Sequence, residues 1–241
     1  MRVVAIEEHH IVPEMRSRMD LSLLPPAFQG RLHATVGERL ADMDAAGIDV
    51  QVLSVMLPVP RMLPAETAVP LAVPLYLHPG PPPQPVAEVH YAGFAAPDSQ
   101  ALATAGYGWH YETSLHALRI ILGGVFDRLP GLKVILGHLG EGIAFHLPRI
   151  DDTLTPVAGH LAKPVSGYFR EHFWITTSGY FYDGPFRLTR EMFGDDRLIF
   201  SVDYPLSDNR QARDWFDRLD LAPEVREKIA HGTVDNLLRL R

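Results

Sequence analysis

Four short apolar runs in this chain each end on an imidazole or a carboxylate, and that repeated ending limits the possible folds more than any other feature. Val3-Val4-Ala5-Ile6 runs into Glu7-Glu8-His9-His10, and Pro74-Leu75-Tyr76-Leu77 ends at His78. Residues 133–137 end at His138, and residues 198–202 end at Asp203. A fifth run, 173–177, ends in Ser178-Gly179. These runs are apolar on both faces instead of alternating, which is the pattern of parallel strands covered by helices. In a barrel of parallel strands every C-terminal strand end meets on one face, and that face carries the site. The four polar endings therefore predict one shared site in an α/β fold. Side chains alternate along a strand with a period of two, so Glu7 and His9 project to one side, with Glu8 and His10 opposite.

Helical segments separate the strands. Residues 38–46 are helical, stopped by Gly47, and residues 48–56 form a second strand. Leu115, Leu118, Ile121, Leu122 and Val125 recur at helical spacing and predict a helix over 113–128, ended by Pro130-Gly131. Further helices are expected over 142–152, 186–193, 211–218 and 223–240. Residues 79–100, rich in proline and alanine without periodicity, read as a long loop. No internal repeat and no linker interrupts the chain, so residues 1–241 read as a single domain.

Composition narrows the chemistry. The formal net charge of -7 and the absence of a long basic run argue against nucleic-acid and membrane partners. There are no cysteines, so a metal must be held by the N and O donors of His, Asp and Glu. No basic leader with an apolar core precedes the first strand, which makes the cytoplasm the expected location.

The stretches Ala-Ile-Glu-Glu-His (5–9), Pro-Leu-Tyr-Leu-His-Pro (74–79), Leu-Gly-His-Leu-Gly-Glu-Gly (136–142) and Phe-Ser-Val-Asp-Tyr-Pro (200–205) occur in this order. With residues 42–49 and the helix 112–128 they resemble the amidohydrolase superfamily. The branch they resemble is that of metal-dependent, non-oxidative aromatic decarboxylases acting on dihydroxybenzoate, γ-resorcylate and 5-carboxyvanillate. The resemblance implies a TIM-like (β/α) barrel and one divalent metal ion, Zn, Mn or Mg, on Glu7, His9, His78 and Asp203. It implies that His138, Glu141 and Asp203 are catalytic, with Asp203 delivering a proton to the ring. It places Arg149 where such enzymes bind a carboxylate, and His110 is a further candidate for touching substrate. Hydrolytic relatives carry His-x-His where this chain has Glu7-x-His9, which favours a decarboxylase. The expected substrate is a small hydroxylated aromatic carboxylic acid.

Family members place two further β/α units between the second strand and the strand before His78. Here only residues 57–73 stand there, four of them proline. A parallel crossover needs about a dozen residues, so roughly six of eight barrel strands are expected. The open edges would favour a homo-oligomer. A metal-dependent amidohydrolase or lactonase, or a truncated inactive remnant, are the alternatives. The aromatic group Tyr180-Phe181-Tyr182 is expected to serve as core or rim.

Overall fold

The computed structural model describes residues 1–10, 26–32, 34–55, 74–80 and 82–240. Among these, six parallel strands appear: β1 (Val4–His10), β2 (Val50–Val55), β3 (Leu75–Leu77), β4 (Val134–Leu136), β5 (Phe173–Thr176) and β6 (Leu198–Ile199). β3, β4, β5 and β6 pair in sequence, and β1 pairs with β2. A parallel bridge between Ile6 and Ser201 joins β1 to the chain leaving β6. The order is thus β3-β4-β5-β6-β1-β2, an α/β architecture of parallel strands. β2 and β3 stand at its two ends and do not pair with each other among the described residues. Val50, Val52, Leu75 and Leu77 on these end strands are half-buried. The short segment 57–73, and Met56 before it, lie outside the described residues.

The helices are α1 (Pro26–Leu32), α2 (Val36–Ala46), α3 (Gln84–His90), α4 (Ala96–Ala103), α5 (Gly108–Leu122) and α6 (Val125–Arg128). They continue with α7 (Ile143–Leu154), α8 (Val165–His172), α9 (Asp183–Phe193), α10 (Asn209–Arg218), α11 (Pro223–Glu227) and α12 (Thr233–Leu238). α2 starts at a capping box, in which Thr35 and Glu38 each accept the other's backbone N–H, and it stops at Gly47 in the left-handed region. The loop expected over 79–100 contains α3 and the start of α4. Neither helix buries a residue, so neither carries the apolar stripe by which a helix is read. The helix expected over 113–128 starts earlier, at Gly108, and breaks where Gly124 takes φ 64°. The tail expected as one helix over 223–240 is α11 and α12 joined by a π-helical turn at Lys228–Gly232.

Alternate residues of the strands divide between two cores. Val3, Ala5, Val134, Leu136, Phe173 and Ile175 pack outward against the helices. Val4, Ile6, Ile135 and Ile199 pack on the other face, with Val50, Val52, Tyr76 and Trp174 beside them. That division follows from the period-two geometry of a strand, and burial on both faces accounts for the uninterrupted apolar runs. Val234 and Leu237 of α12 pack into the second core. The outer layer is the larger. Tyr168, Phe169, Phe173, Phe186 and Phe216 are fully buried there, each worth about 1.5–3 kcal/mol of transfer free energy.

Arg2, just before β1, donates to both carboxylate oxygens of Asp235 on α12, and His231 Nδ1 lies 3.0 Å from Asp235 Oδ2. Burial alone would raise the Asp235 carboxyl. Arg2 and His231 outweigh it and hold the carboxyl below its ordinary value. A carboxyl depressed in the folded state adds stability at pH above its unfolded value, and that stability is lost as pH falls through the folded one. Asp235→Asn is therefore expected to melt below wild type at neutral pH. The gap should close as the pH falls below about 4, the ordinary carboxylate range. Thermal melts of both proteins across pH check this.

Candidate active site

Backbone strain marks the site before any side chain does. Six non-glycine residues among those described have positive φ: Glu7, His138, Leu139, Glu141, Asp203 and Arg239. Four of the six, Glu7, His138, Glu141 and Asp203, are among the site residues expected from the sequence. Gly140 and Gly142, at φ 83° and 81°, extend the left-handed run from His138 through residue 142. A non-glycine residue held there costs roughly 1–3 kcal/mol, and such residues persist where the surroundings over-determine them.

At β1 the over-determination comes from a bulge. Ile6 pairs with Val52 and Glu8 with Leu53, which leaves Glu7 as the extra residue. The sequence predicts that Glu7 and His9 share a side by regular alternation. They do face the same cluster, but the strand reaches that arrangement by this irregularity. Glu8 faces away and is completely buried. Its two carboxylate oxygens accept the backbone N–H groups of Val202, at 3.0 Å, and Tyr204, at 2.9 Å, on either side of Asp203. His9 N–H donates to Tyr204 O at 2.6 Å, and Arg39 of α2 donates to His9 O and lies over the Tyr204 ring. Burial pushes the Glu8 carboxyl up to about 8, against the lowering effect of the two N–H donors.

Glu7 is held on one oxygen only. Its Oε2 accepts from Thr176 Oγ1 at 3.0 Å and from Ser178 Oγ, while Oε1 has no hydrogen-bond partner. Tyr76 Oη stands 3.2 Å from Thr176 Oγ1. Gly137 makes room for the carboxylate. A Cβ there would lie 2.8 Å from Glu7 Oε1 and 3.1 Å from Oε2. His78 Nδ1 is 2.7 Å from Pro79 O. A carbonyl only accepts, so Nδ1 carries the hydrogen and Nε2 keeps its lone pair. That Nε2 lies 3.6 Å from Glu7 Oε1.

These donors fit a divalent cation. The buried side-chain atoms without a hydrogen-bond partner include Glu7 Oε1, both ring nitrogens of His9, and Asp203 Oδ1. Unpaired buried polar atoms are costly, and each such atom calls for an explanation. His9 Nε2 and Asp203 Oδ1 are 3.0 Å apart without hydrogen-bond geometry. One ligand atom from each of His9, His78 and Asp203 lies within 4.8 Å of the others, and the same holds for Glu7, His138 and Asp203. Oxygen and imidazole donors suit manganese, zinc or magnesium.

An imidazole–carboxylate pair adjoins this cluster. His138 Nδ1 lies 2.8 Å from Glu141 Oε1, and His138 Nε2 lies 3.7 Å from Asp203 Oδ2. Burial would lower the His138 imidazole, but Glu141, Glu7 and Asp203 outweigh it and hold it well above its ordinary value. Burial would raise Asp203, but the imidazoles of His138 and His9 beside it bring it down to about 2. Glu141 is likewise lowered against its burial, by His138 and His110. Burial pushes His78 down.

Glu7, His9, His78, His138, Glu141 and Asp203 are thus brought together. His110 joins them through Glu141, with its Nδ1 2.5 Å from Glu141 Oε2. Arg149 does not join them. It lies exposed on α7 with no ion pair among the described residues. Thr176, Ser178 and Glu8 are given no site role by the sequence, and Tyr180 is expected only as core or rim. Thr176 and Ser178 obey the same strand-end rule, on β5, and could have been found by it.

A family model described as amidohydrolase matches residues 18–240. A gamma-resorcylate decarboxylase of Polaromonas sp. (strain JS666) is 38% identical over 180 residues, 73% of this chain and 53% of that relative. The chain spans about half the length of the curated relatives it matches. The solved structure of a 2,6-dihydroxybenzoate decarboxylase complexed with 2,6-dihydroxybenzoate superposes with a TM-score of 0.85 at 25% identity, over 99% of this chain and 100% of the other. That of a dihydroxybenzoic acid decarboxylase from Polaromonas sp. JS666, with bound manganese and the inhibitor 2-nitroresorcinol, gives a TM-score of 0.84 at 25% identity, over 100% and 98%.

Glu8→Ala leaves the N–H groups of Val202 and Tyr204 buried without an acceptor, at about 1–3 kcal/mol each. It is expected to lower the urea midpoint and to weaken manganese binding in equilibrium dialysis, because Asp203 loses the bracket on both its sides. Unchanged manganese affinity would show that Asp203 is held without Glu8.

Proposed function

The chain belongs to the amidohydrolase family, and on that premise we propose that it is a metal-dependent, non-oxidative decarboxylase of a hydroxylated aromatic carboxylic acid. The observation that carries this reading is the set of unpaired, buried donor atoms on Glu7, His9 and Asp203 beside the His138–Glu141 pair. The relatives named above are decarboxylases of such acids, and one neighbouring structure holds manganese.

Glu7, His9, His78 and Asp203 would hold one divalent ion. Its charge would fix an ortho-hydroxybenzoate through adjacent carboxylate and phenolic oxygens, which supplies most of the orientation the reaction needs. The remaining work falls to protein side chains. His138 keeps a proton available at Nε2, since its Nδ1 hydrogen is committed to Glu141. Asp203, facing that Nε2, takes the proton once substrate displaces its carboxylate, and presents it to the ring carbon that bears the carboxylate. The new C–H bond forms there. The bond to the carboxylate then breaks, its electron pair restores the aromatic ring, and carbon dioxide leaves.

We read the six strands as a TIM-like barrel lacking two of eight β/α units, within one domain. The half-buried residues of β2 and β3, with Leu53 49% exposed, support association of copies at these margins. Among the described residues no helix is long and apolar enough to cross a membrane.

The test is an assay of a hydroxybenzoate panel beside a lactone panel, with manganese, zinc or magnesium supplied. Release of carbon dioxide from at least one ortho-hydroxylated acid, lost on chelation and restored by metal, is the expected result. Lactone opening alone would make the chain a hydrolase, and failure to bind metal would make it a remnant. His78→Ala should lose metal sharply, whereas His138→Ala should keep metal and lose turnover. Metal analysis of both variants separates ligand from acid–base partner.

A further inference from the structure

Both carboxylate oxygens of Glu141 are occupied by imidazoles. His138 Nδ1 takes Oε1, and His110 Nδ1, from the first turn of α5, takes Oε2 at 2.5 Å. The Glu141 side chain is completely buried. An ionised carboxylate only accepts, so both Nδ1 atoms carry hydrogen. The two rings stand edge to face with centroids 5.3 Å apart, each on its own oxygen.

The far nitrogen of His110 is also committed. Its Nε2 lies 2.9 Å from Tyr180 Oη and 3.2 Å from Ala105 O. The tyrosine hydroxyl can donate to a bare Nε2 or accept from a protonated one, and the carbonyl accepts from a protonated one. His110 therefore has a partner in either charge state and is pinned at both ring nitrogens. Tyr180 adds an edge-on ring contact at 5.3 Å. A histidine with both nitrogens engaged has no donor or acceptor left for a substrate, which sets this geometry against the substrate contact expected from the sequence.

We infer that His110 is a positioning residue for the acid–base pair. It fills the second oxygen of Glu141 and so holds the carboxylate in the orientation that points His138 toward Asp203, with Tyr180 anchoring His110 from behind. Without it, one oxygen of a fully buried carboxylate has no partner, and nothing fixes the rotation of that carboxylate about its last bond. Partners that orient a functional group at one remove commonly carry a substantial share of its effect. The inference rests on the reading of His138 as the acid–base group.

The experiment uses zinc-supplied full chain and three variants, His110→Phe, His110→Asn and Tyr180→Phe. Asparagine places an amide N–H where Nδ1 stands and restores the donor to Glu141. Phenylalanine restores neither bond. The first readout needs no turnover: the ¹⁵N–¹H resonance of His138 Nδ1, shielded from water exchange by Glu141. His110→Phe should broaden or lose it, and His110→Asn should keep it. The second readout is kinetic. His110→Phe should lower kcat by roughly 10- to 100-fold with KM and zinc content near wild type, and His110→Asn should recover most of that loss.

An unchanged resonance in His110→Phe overturns the inference. So does a rise in KM alone, which would return His110 to the substrate, and so does an asparagine variant as impaired as the phenylalanine one. If His110→Phe does not fold, Tyr180→Phe decides. Broadening of the resonance supports the inference, and no change overturns it. If wild type decarboxylates no aromatic acid, the kinetic arm tests only the proposed reaction, and the resonance still decides the role of His110.

Discussion

The two halves of the candidate metal cluster are joined by a carboxylate that faces away from it. Glu8 accepts the backbone N–H groups of Val202 and Tyr204, and these bracket Asp203 on the strand-end segment after β6. Glu7 and His9 flank Glu8 on β1. One side chain therefore sets the spacing between donors 194 or more residues apart in sequence. Glu7 and Asp203 both sit at positive φ, with values of 70° and 73°. Conformations of that kind relax unless something holds them, and the Glu8 contacts, the His9–Tyr204 hydrogen bond and the Ile6–Ser201 bridge supply the hold.

The strain is distributed in the same way at the other end of the cluster. His138, Leu139 and Glu141 are left-handed in a run closed by two glycines. Regular helix would carry His138 and Glu141 away along α7. The left-handed turn keeps them three residues apart and face to face, with Nδ1 and Oε1 at 2.8 Å. The pairing is thus a product of backbone shape, and the shape is set by Gly140 and Gly142, which take positive φ without the Cβ penalty.

Much of this was legible in the sequence, for a definite reason. Parallel strands are buried on both faces, so a charged or imidazole side chain at the end of an apolar run stands out. That rule selected Glu7, His9, His78, His138 and Asp203, which the structure gathers. What it missed shares another property. Glu8 matters through backbone groups 194 and 196 residues away, and Thr176 through a carboxylate 169 residues away. Such partners are invisible to spacing. The helices α3 and α4 were missed because they bury nothing, and periodicity can only report a buried face. Arg149 shows the reverse case. A motif position suggested a role, and its side chain lies on an exposed helix surface instead.

Gly137 separates two kinds of tolerance that usually travel together. Its φ of -74° is open to any residue, so nothing in the backbone demands glycine there. A methyl group would instead press on the Glu7 carboxylate, the end of a side chain that has some freedom to yield. An alanine at 137 could therefore leave a folded, well-packed protein whose defect is confined to the Glu7 carboxylate. Lineages of this chain could drift at 137 with little loss of fold, and ligand geometry would be the first property to suffer.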